Sequence, residues 1–460
     1  MITYIKINGF KSFHNFEMEF TPFTVVAGAN ASGKSNLFDA LKLLRRLAET
    51  DNLKKAFKEQ RGEFIELFTQ YGENHYATEI EFDVEMLVNR KVKDSWGNEA
   101  ELKYTRLRYE LKIKRFTNSL GIEDLAVTYE HLENLKPQQD KWIKLLDKNL
   151  LENWRPNVKK GKRTIPYIKT EIENQILTVL VPQDGGGKKR RFPLKNATRT
   201  VLSSFDTIDF PHVLAAKEEM LNWKFLQLNP EDLRQPTNKN LGDDVISESG
   251  KNLAAALHRI KQEDIYTLRE ISREIQTFLP NFVEVEVRDD IENQQYIIKL
   301  KDKDKKEYSS RVLSEGTLRI LALCILEYDS KHTGLLCFEE PENGINPFHL
   351  ETKAKLLKDL SIDFADIEMP LRQMIVNTHS PVLVAHINRW KPDNNVSIWY
   401  AEIRNRVTDI SNKRIKLSVT SILPVIKEKT LQLMLNFSEP EKKLSLSKMK
   451  RYLETASNKS

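Results

Sequence analysis

The sequence predicts an α/β fold built round a phosphate-binding loop, with a β-rich lobe inserted behind that loop. Three observations carry this. Gly28 to Ser35 reads GANASGKS, between a strand-like run and a helix-like run. Two later apolar runs, in LLCFEEPE and QMIVNTHSP, end in acid and just before histidine, as buried parallel strands do at the edge where α/β folds bind ligands. The intervening residues 51–230 are rich in segments that alternate polar and apolar residues, the pattern of antiparallel strands.

The loop comes first. In PFTVVAGAN, Thr24, Val25 and Val26 form the heart of a buried strand. In SNLFDALKLLRRLAE, Leu37, Ala40, Leu41, Leu44 and Leu47 share one helix face. Strand, glycine loop and helix are the context that Gly28-x4-Gly33-Lys34-Ser35 needs to hold the phosphates of ATP. Gly33 lets backbone approach phosphate with no side chain between. The N–H groups of Asn30, Ala31, Ser32, Gly33, Lys34 and Ser35, with Asn36 beside them, face the β-phosphate at a helix start. Lys34 spans the β- and γ-phosphates, and the Ser35 hydroxyl ligates Mg²⁺.

In the insertion, ATEIEFDVEML, LRYELKIKR, LAVTYEHL and ENQILTVLVP read as strands, with helices near Lys141 to Leu151 and Pro211 to Phe225. Sustained heptads are absent, which excludes a long coiled coil. Residues 251–279 read as two helices, and VEVEVRDD with QYIIKLKDKD as a hairpin leading into SEGT. Ser314, Glu315 and Gly316 open an apolar helix, Leu318 to Leu326. Ser314 is its N-cap in the plain reading, and the helix start receives a phosphate in the functional one.

The strand Leu335 to Phe338 then delivers Glu339 and Glu340, and Pro341 ends it. Alternation along a strand gives the two carboxylates different jobs. Glu339 is the Mg²⁺ partner and Glu340 polarises the attacking water. The plain alternative is a charged strand end in solvent. His379, beyond the strand of Met374 to Val376, contacts the γ-phosphate or the attacking water. After it, SIWYAEIR and RIKLSVTSI read as strands, and the tail from Leu423 as helical and polar, with LQLMLNF packing on its own head or, as the alternative, docking on a partner. The expected divisions are 1–50 and 231–422 for the two halves of the head, 51–230 for the insertion and 423–460 for the tail.

Together these segments resemble an ABC-type ATPase head of the RecF/SMC/OLD-like group, as in the AAA-21 and AAA-15 ATPases. GANASGKSNL matches that group's phosphate loop, LSEGT its signature, FEEPENGINP its Walker B and D-loop stretch, and NTHSP its histidine switch. The opening ITYIKINGFKSFHNFEMEF resembles its first two strands, which implies that Lys11 to Phe13 lie near the adenine. SGKNLAAALHRIKQED resembles the stretch before the signature. Glu339 stands where aspartate is more usual, and Asn346 where the D-loop often has histidine. The Q-loop glutamine is Gln60 or Gln70. The resemblance implies two ATP molecules held between two protomers arranged head to tail, with Ser314, Glu315 and Gly316 of one chain on the γ-phosphate held by Lys34 of the other. ATP then closes the dimer, or a larger homo-oligomer, and hydrolysis opens it.

Composition bounds the rest. The chain has 460 residues, 30% charged and 40% hydrophobic, with a net charge of +6. That fits a globular protein with mild positive charge, which alone does not establish nucleic-acid binding. No stretch nears 18 consecutive apolar residues, so no membrane partner is expected, and MITYIKINGF is not a signal peptide. Cys324 and Cys337 sit in apolar runs and read as buried free thiols of a cytoplasmic protein. Lys159 to Arg163 and Lys188 to Arg191 are basic clusters, the latter in an exposed loop after Gly185 to Gly187. After His379 no acidic metal motif of a nuclease follows.

The leading reading is an ATPase subunit, similar to those of Septu- and PARIS-type systems, that controls a separately encoded nuclease or toxin in bacterial anti-phage defence, with DNA or a phage component as a further partner. A RecF-like DNA-repair ATPase and an ATP-locked scaffold with little turnover are the alternatives.

Overall fold

The computed structural model describes residues 1–146, 149–156, 165–184, 189–242, 244–344, 349–366, 369–390, 393–410, 413–425 and 439–457. Two compact units divide the chain. One comprises Met1–Trp223, Asp363–Leu371 and Pro392–Lys450, and the other Lys224–Ile362, Arg372–Lys391 and Arg451–Ser460.

The first unit is built mainly on strands. Five antiparallel strands lie in the order Glu123–Asn134, Arg106–Thr117, Glu79–Leu87, Ile2–Asn8, Phe16–Glu19. Alternation sets their register: Ile5 and Ile7 are buried opposite Val84 and Phe82. A smaller sheet joins Lys169–Glu173, Ile176–Pro182 and Lys189–Pro193. The fully buried strand Phe23–Ala27 runs parallel to Val396–Ile410, which turns back through Lys413–Pro424. Helix Lys34–Glu49 leaves the loop with Leu37, Ala40, Leu41, Leu44 and Leu47 buried, and it packs on helix Pro211–Leu221.

Three buried ionisable side chains pin this unit. Arg106 and Asp140 are each at most 1% exposed and are paired at 3.1 Å. Glu130 accepts the N–H groups of Val201 at 2.6 Å and Leu202 at 2.7 Å and the Tyr109 hydroxyl at 3.0 Å. Burial pushes its carboxyl up to about 7, against the pull of those donors.

The second unit has the parallel strands Lys224–Leu226, Gly334–Glu339 and Arg372–Thr378. Helices Leu253–Glu263 and Ile265–Phe278 precede a hairpin of Phe282–Asp290 and Gln295–Asp302. Helices Glu315–Tyr328, Leu350–Asp359 and Pro381–Asn388 complete it. Arg372 closes the end of the Glu315–Tyr328 helix by donating to the carbonyls of Glu327, Asp329 and His332 at 2.7–2.8 Å, a cation where the helix dipole is negative.

Four local expectations are corrected. The helix near Lys141 to Leu151 is two short pieces, a 3₁₀ turn Trp142–Leu145 and a helical turn Leu151–Trp154. The first is tied down by the Trp142 indole N–H, which donates to Phe20 O at 2.9 Å, so packing overrides propensity there. The helix from Pro211 ends at Leu221, and Lys224–Leu226 is instead a strand beside Gly334–Glu339. Lys189, Arg190 and Arg191 lie not in a loop but on an exposed strand, paired with Pro182, Val181 and Leu180. Arg190 stacks over the rings of Phe205 and Phe210, which uses it as packing. Finally, Glu340 is not part of its strand, which stops at Glu339. Asn346, Lys159 to Arg163, Gly185 to Lys188 and LQLMLNF lie outside the described residues. Cys324 and Cys337 are buried and not joined in a disulfide, and among the described residues no helix is long and apolar enough to cross a membrane.

Candidate functional site

In the first unit, the chain leaves Phe23–Ala27 and reverses through Ala31, at φ +60°, and Gly33, at φ +85°. A Cβ on Gly33 would lie 1.8 Å from Thr420 Oγ1, so both the left-handed backbone and the Thr420 side chain require glycine. Sequence reasoning assigned this glycine to phosphate approach; the neighbour that excludes a side chain comes from a distant strand. The helix then starts at Lys34 with no side-chain cap, which leaves first-turn N–H groups for an external acceptor. Lys34 is 8% exposed, and its ammonium donates to Gly28 O at 2.9 Å, Ala29 O at 2.8 Å and Ser32 Oγ at 3.4 Å. Asn30 and Ala31 are exposed, and Ser35 and Asn36 are half-buried.

A hydrogen-bonded chain braces this loop. Asn36 Nδ2 donates to Ser12 Oγ at 2.7 Å, which meets Thr420 Oγ1 at 2.6 Å. On the loop helix, Asp39 is 1% exposed and binds Lys11 at 2.6 Å and Arg61 at 3.0 Å. Lys11, Asn36, Arg61, Gln70 and Tyr71 line a cavity of about 660 Å³ beside the helix start. Gln70 therefore faces this cavity, whereas Gln60 is buried and turned back onto Ala56 O.

In the second unit, Glu339 ends its strand half-buried, with Asn377 Nδ2 3.4 Å from its Oε1. Glu340 follows at φ +49°, a conformation that costs about 1–2 kcal/mol for a residue with a side chain. The bend puts Glu340 outside the strand, and the two carboxylates have different partners. The Glu340 N–H donates to Asn377 O at 2.7 Å. Its Oε1 lies 3.0 Å from His379 Nδ1, and its Oε2 accepts Asn343 Nδ2 at 2.8 Å. The acid pair and the histidine are thus brought together.

Ser314 is the N-cap of the Glu315–Tyr328 helix, accepting the Thr317 N–H at 3.2 Å. Glu315 pairs with Arg319 at 2.6 Å, and Arg319 donates to Asn343 O at 2.8 Å. A Cβ on Gly316 would lie 2.6 Å from Gly344 O, so the SEGT helix start packs backbone to backbone on the turn after the acid pair. Sequence reasoning missed Arg319, Glu342, Asn343 and Lys353 here. Lys353 is fully buried, donates to Pro341 O and sits 5.7 Å from the Phe338 ring. Burial, with the like charge of Arg319, pulls its ammonium down to about 7, opposed by Glu342.

Among the described residues no three or more His, Cys, Asp or Glu side chains group as a metal site. A Mg²⁺ ion that is bound chiefly by nucleotide phosphates and water needs only one or two protein oxygens, which the Ser35 hydroxyl and Glu339 carboxylate suit chemically.

A family model described as "AAA domain, putative AbiEii toxin, Type IV TA system" matches residues 23–385. No curated protein matches the chain. Among solved structures, the chain is similar to an SMC head bound to the C-terminal winged-helix domain of ScpA, at 15% identity over 92% of this chain and 98% of that one, with a TM-score of 0.49. An SMC head domain from Thermotoga maritima is 13% identical over 93% and 99%, with a TM-score of 0.38. An SMC head with an extended coiled coil, bound to the C-terminal domain of ScpA and derived from Pyrococcus furiosus, is 14% identical over 99% of both chains, with a TM-score of 0.44.

Proposed function

Since the chain belongs to this AAA-domain family and has the mixed α/β fold of a phosphate-loop ATPase head, we propose that it binds and hydrolyses ATP with Mg²⁺ and thereby controls a separate effector. The single observation that carries the reading is Lys34, a buried ammonium held by carbonyls of its own loop at the start of an uncapped helix. ATP phosphates exchange for those carbonyls and take the N–H groups of Asn30 to Asn36. Ser35 and Glu339 hold Mg²⁺, which neutralises phosphate charge. Glu340 orients and polarises the attacking water, and His379 steadies that water or the γ-phosphate. Ser314, Glu315 and Gly316 contact the γ-phosphate from a second protomer, so turnover requires a head-to-tail pair. The effector is a nuclease or toxin acting in anti-phage defence. The family's description names a toxin of a toxin–antitoxin system, a setting of two components.

Two variants test this. Lys34→Ala abolishes nucleotide binding; retained affinity in a fluorescent-ATP titration removes the phosphate-loop assignment. Glu340→Gln keeps binding but slows turnover about 100-fold or more, so that its native mass with ATP and Mg²⁺ is that of a trapped dimer or larger assembly. Wild-type turnover by Glu340→Gln rules out its catalytic role. A second polypeptide that co-purifies and leaves on turnover supports effector control. A lone chain that hydrolyses faster with DNA favours a repair ATPase instead, and tight binding without turnover favours a scaffold.

A further inference from the structure

Glu342 stands in the turn after the acid pair, with its side chain only 9% exposed. Its Oε1 accepts the Thr378 hydroxyl at 2.7 Å and the backbone N–H of His379 at 3.1 Å, and it lies 3.5 Å from His379 Nδ1. Its Oε2 is buried and has no hydrogen-bond partner among the described residues. A desolvated oxygen left bare costs stability, so a carboxylate is an expensive choice for packing alone. What it supplies is a pair of charge-assisted hydrogen bonds to the two residues that end the Arg372–Thr378 strand and start the histidine segment.

The turn that carries Glu342 is itself fixed at both sides. Lys353 donates to Pro341 O from the buried side, and Arg319 donates to Asn343 O from the SEGT helix. A carboxylate on so constrained a turn locates whatever it binds. It binds the backbone of the residue whose ring meets Glu340.

We propose that Glu342 is a positioning residue, whose carboxylate holds the end of the Arg372–Thr378 strand so that the His379 ring stays on Glu340. This rests on the hydrolysis reading above. Without Glu342, the His379 N–H and the Thr378 hydroxyl lose their acceptor, the ring drifts from Glu340, and the water-orienting pair comes apart. ATP affinity, which the phosphate loop supplies, is untouched.

The test compares the full-length wild type with Glu342→Ala and Glu342→Gln by ATP turnover, ATP affinity and the ring ¹³C–¹H resonance of His379, identified by its loss in His379→Asn. Expected for Glu342→Ala are a fall in kcat of about tenfold or more, the worth of one lost charge-assisted bond, with KM and ATP affinity within about twofold, and a displaced His379 resonance. Glu342→Gln, which can still accept both bonds without charge, lies between. An alanine variant with wild-type kcat and an unmoved resonance overturns the proposal, as does equal loss in the alanine and glutamine variants. If wild type itself turns over no ATP, the hydrolysis reading fails, and the resonance alone decides the positioning. If Glu342→Ala does not fold, Thr378→Val, which removes one of the two donors, must move the same resonance in the direction that Glu342→Gln does; no movement overturns the claim.

Discussion

The phosphate loop and the acid turn both follow a buried strand, and they are held by opposite means. The loop opens its helix without a side-chain cap and takes its shape from steric exclusion, with Thr420 filling the space that a side chain on Gly33 would need. The acid turn commits nearly every polar group it has. Glu340 is tied to Asn343 and His379, Glu342 to Thr378 and His379, and the carbonyls of Pro341 and Asn343 to Lys353 and Arg319. A binding site for an anion needs free N–H groups on a rigid frame. A site that must aim a carboxylate needs that carboxylate held until the reaction calls for it.

Replacement at position 33 gives the largest expected effect. Gly33→Ala puts a Cβ into Thr420 and a side chain at φ +85°, a conformation that alone costs about 1–2 kcal/mol. ATP binding falls below detection in a fluorescent-nucleotide titration, with a clear drop in melting temperature. Adding Thr420→Gly sharpens the comparison. If the double variant regains affinity, steric exclusion shapes the loop; if it does not, while Thr420→Gly alone still binds ATP, the backbone conformation is the reason for glycine.

The acid turn breaks differently. Arg319→Met removes the donor to Asn343 O and the partner of Glu315, while the methylene stem is kept. The expected loss is about 0.5–1.5 kcal/mol of stability, the net worth of a hydrogen bond whose exposed acceptor can turn to water, with kcat reduced and ATP affinity unchanged. Denaturant melts and steady-state turnover check both. Unchanged kcat would mean that Asn343 holds Glu340 without help from the SEGT helix.

This contrast also explains what could be read in advance. The phosphate loop, the strand before it and the helix after it are one contiguous stretch whose chemistry belongs to the backbone, so residue types and spacing suffice to find it. Glu339 and Glu340 drew notice at the end of one apolar run, and His379 just beyond another. Glu342 had a faint signal as a further acid in EEPE, but its partners lie 36 and 37 residues away. Lys353 had none. In ETKAKLLKD it looks like Lys355 and Lys358, and only the packing makes it the buried one. The strand Lys224–Leu226 was missed because three residues carry no period and its status comes from pairing with Gly334–Glu339. The left-handed bend at Glu340 was equally hidden, since a glutamate there is a poor local choice that its tertiary bonds override.

The smallest expected effect separates the two units by pH. Glu130 in the first unit has its carboxyl raised from 4.5 to about 7 by burial. Between those values the folded protein keeps a proton that the unfolded chain has lost, so the group's contribution is full below 4.5 and disappears as pH rises through 7. Lys353 in the second unit is lowered from 10.5 to about 7. There the unfolded chain holds the extra proton, so its contribution is full above 10.5 and disappears as pH falls through 7. Each group therefore tilts the stability curve by at most about 1.4 kcal/mol per pH unit, in opposite directions on either side of neutrality. Relative to wild type, Glu130→Gln should flatten the acid side alone and Lys353→Met the alkaline side alone, whatever constant offset each substitution adds. Chemical denaturation across pH 4.5 to 10.5 reads both slopes. A Lys353→Met curve parallel to wild type above neutrality would mean that Lys353 keeps its proton in the fold, and that the Pro341 carbonyl and Glu342 stabilise a charged ammonium at the base of the acid turn.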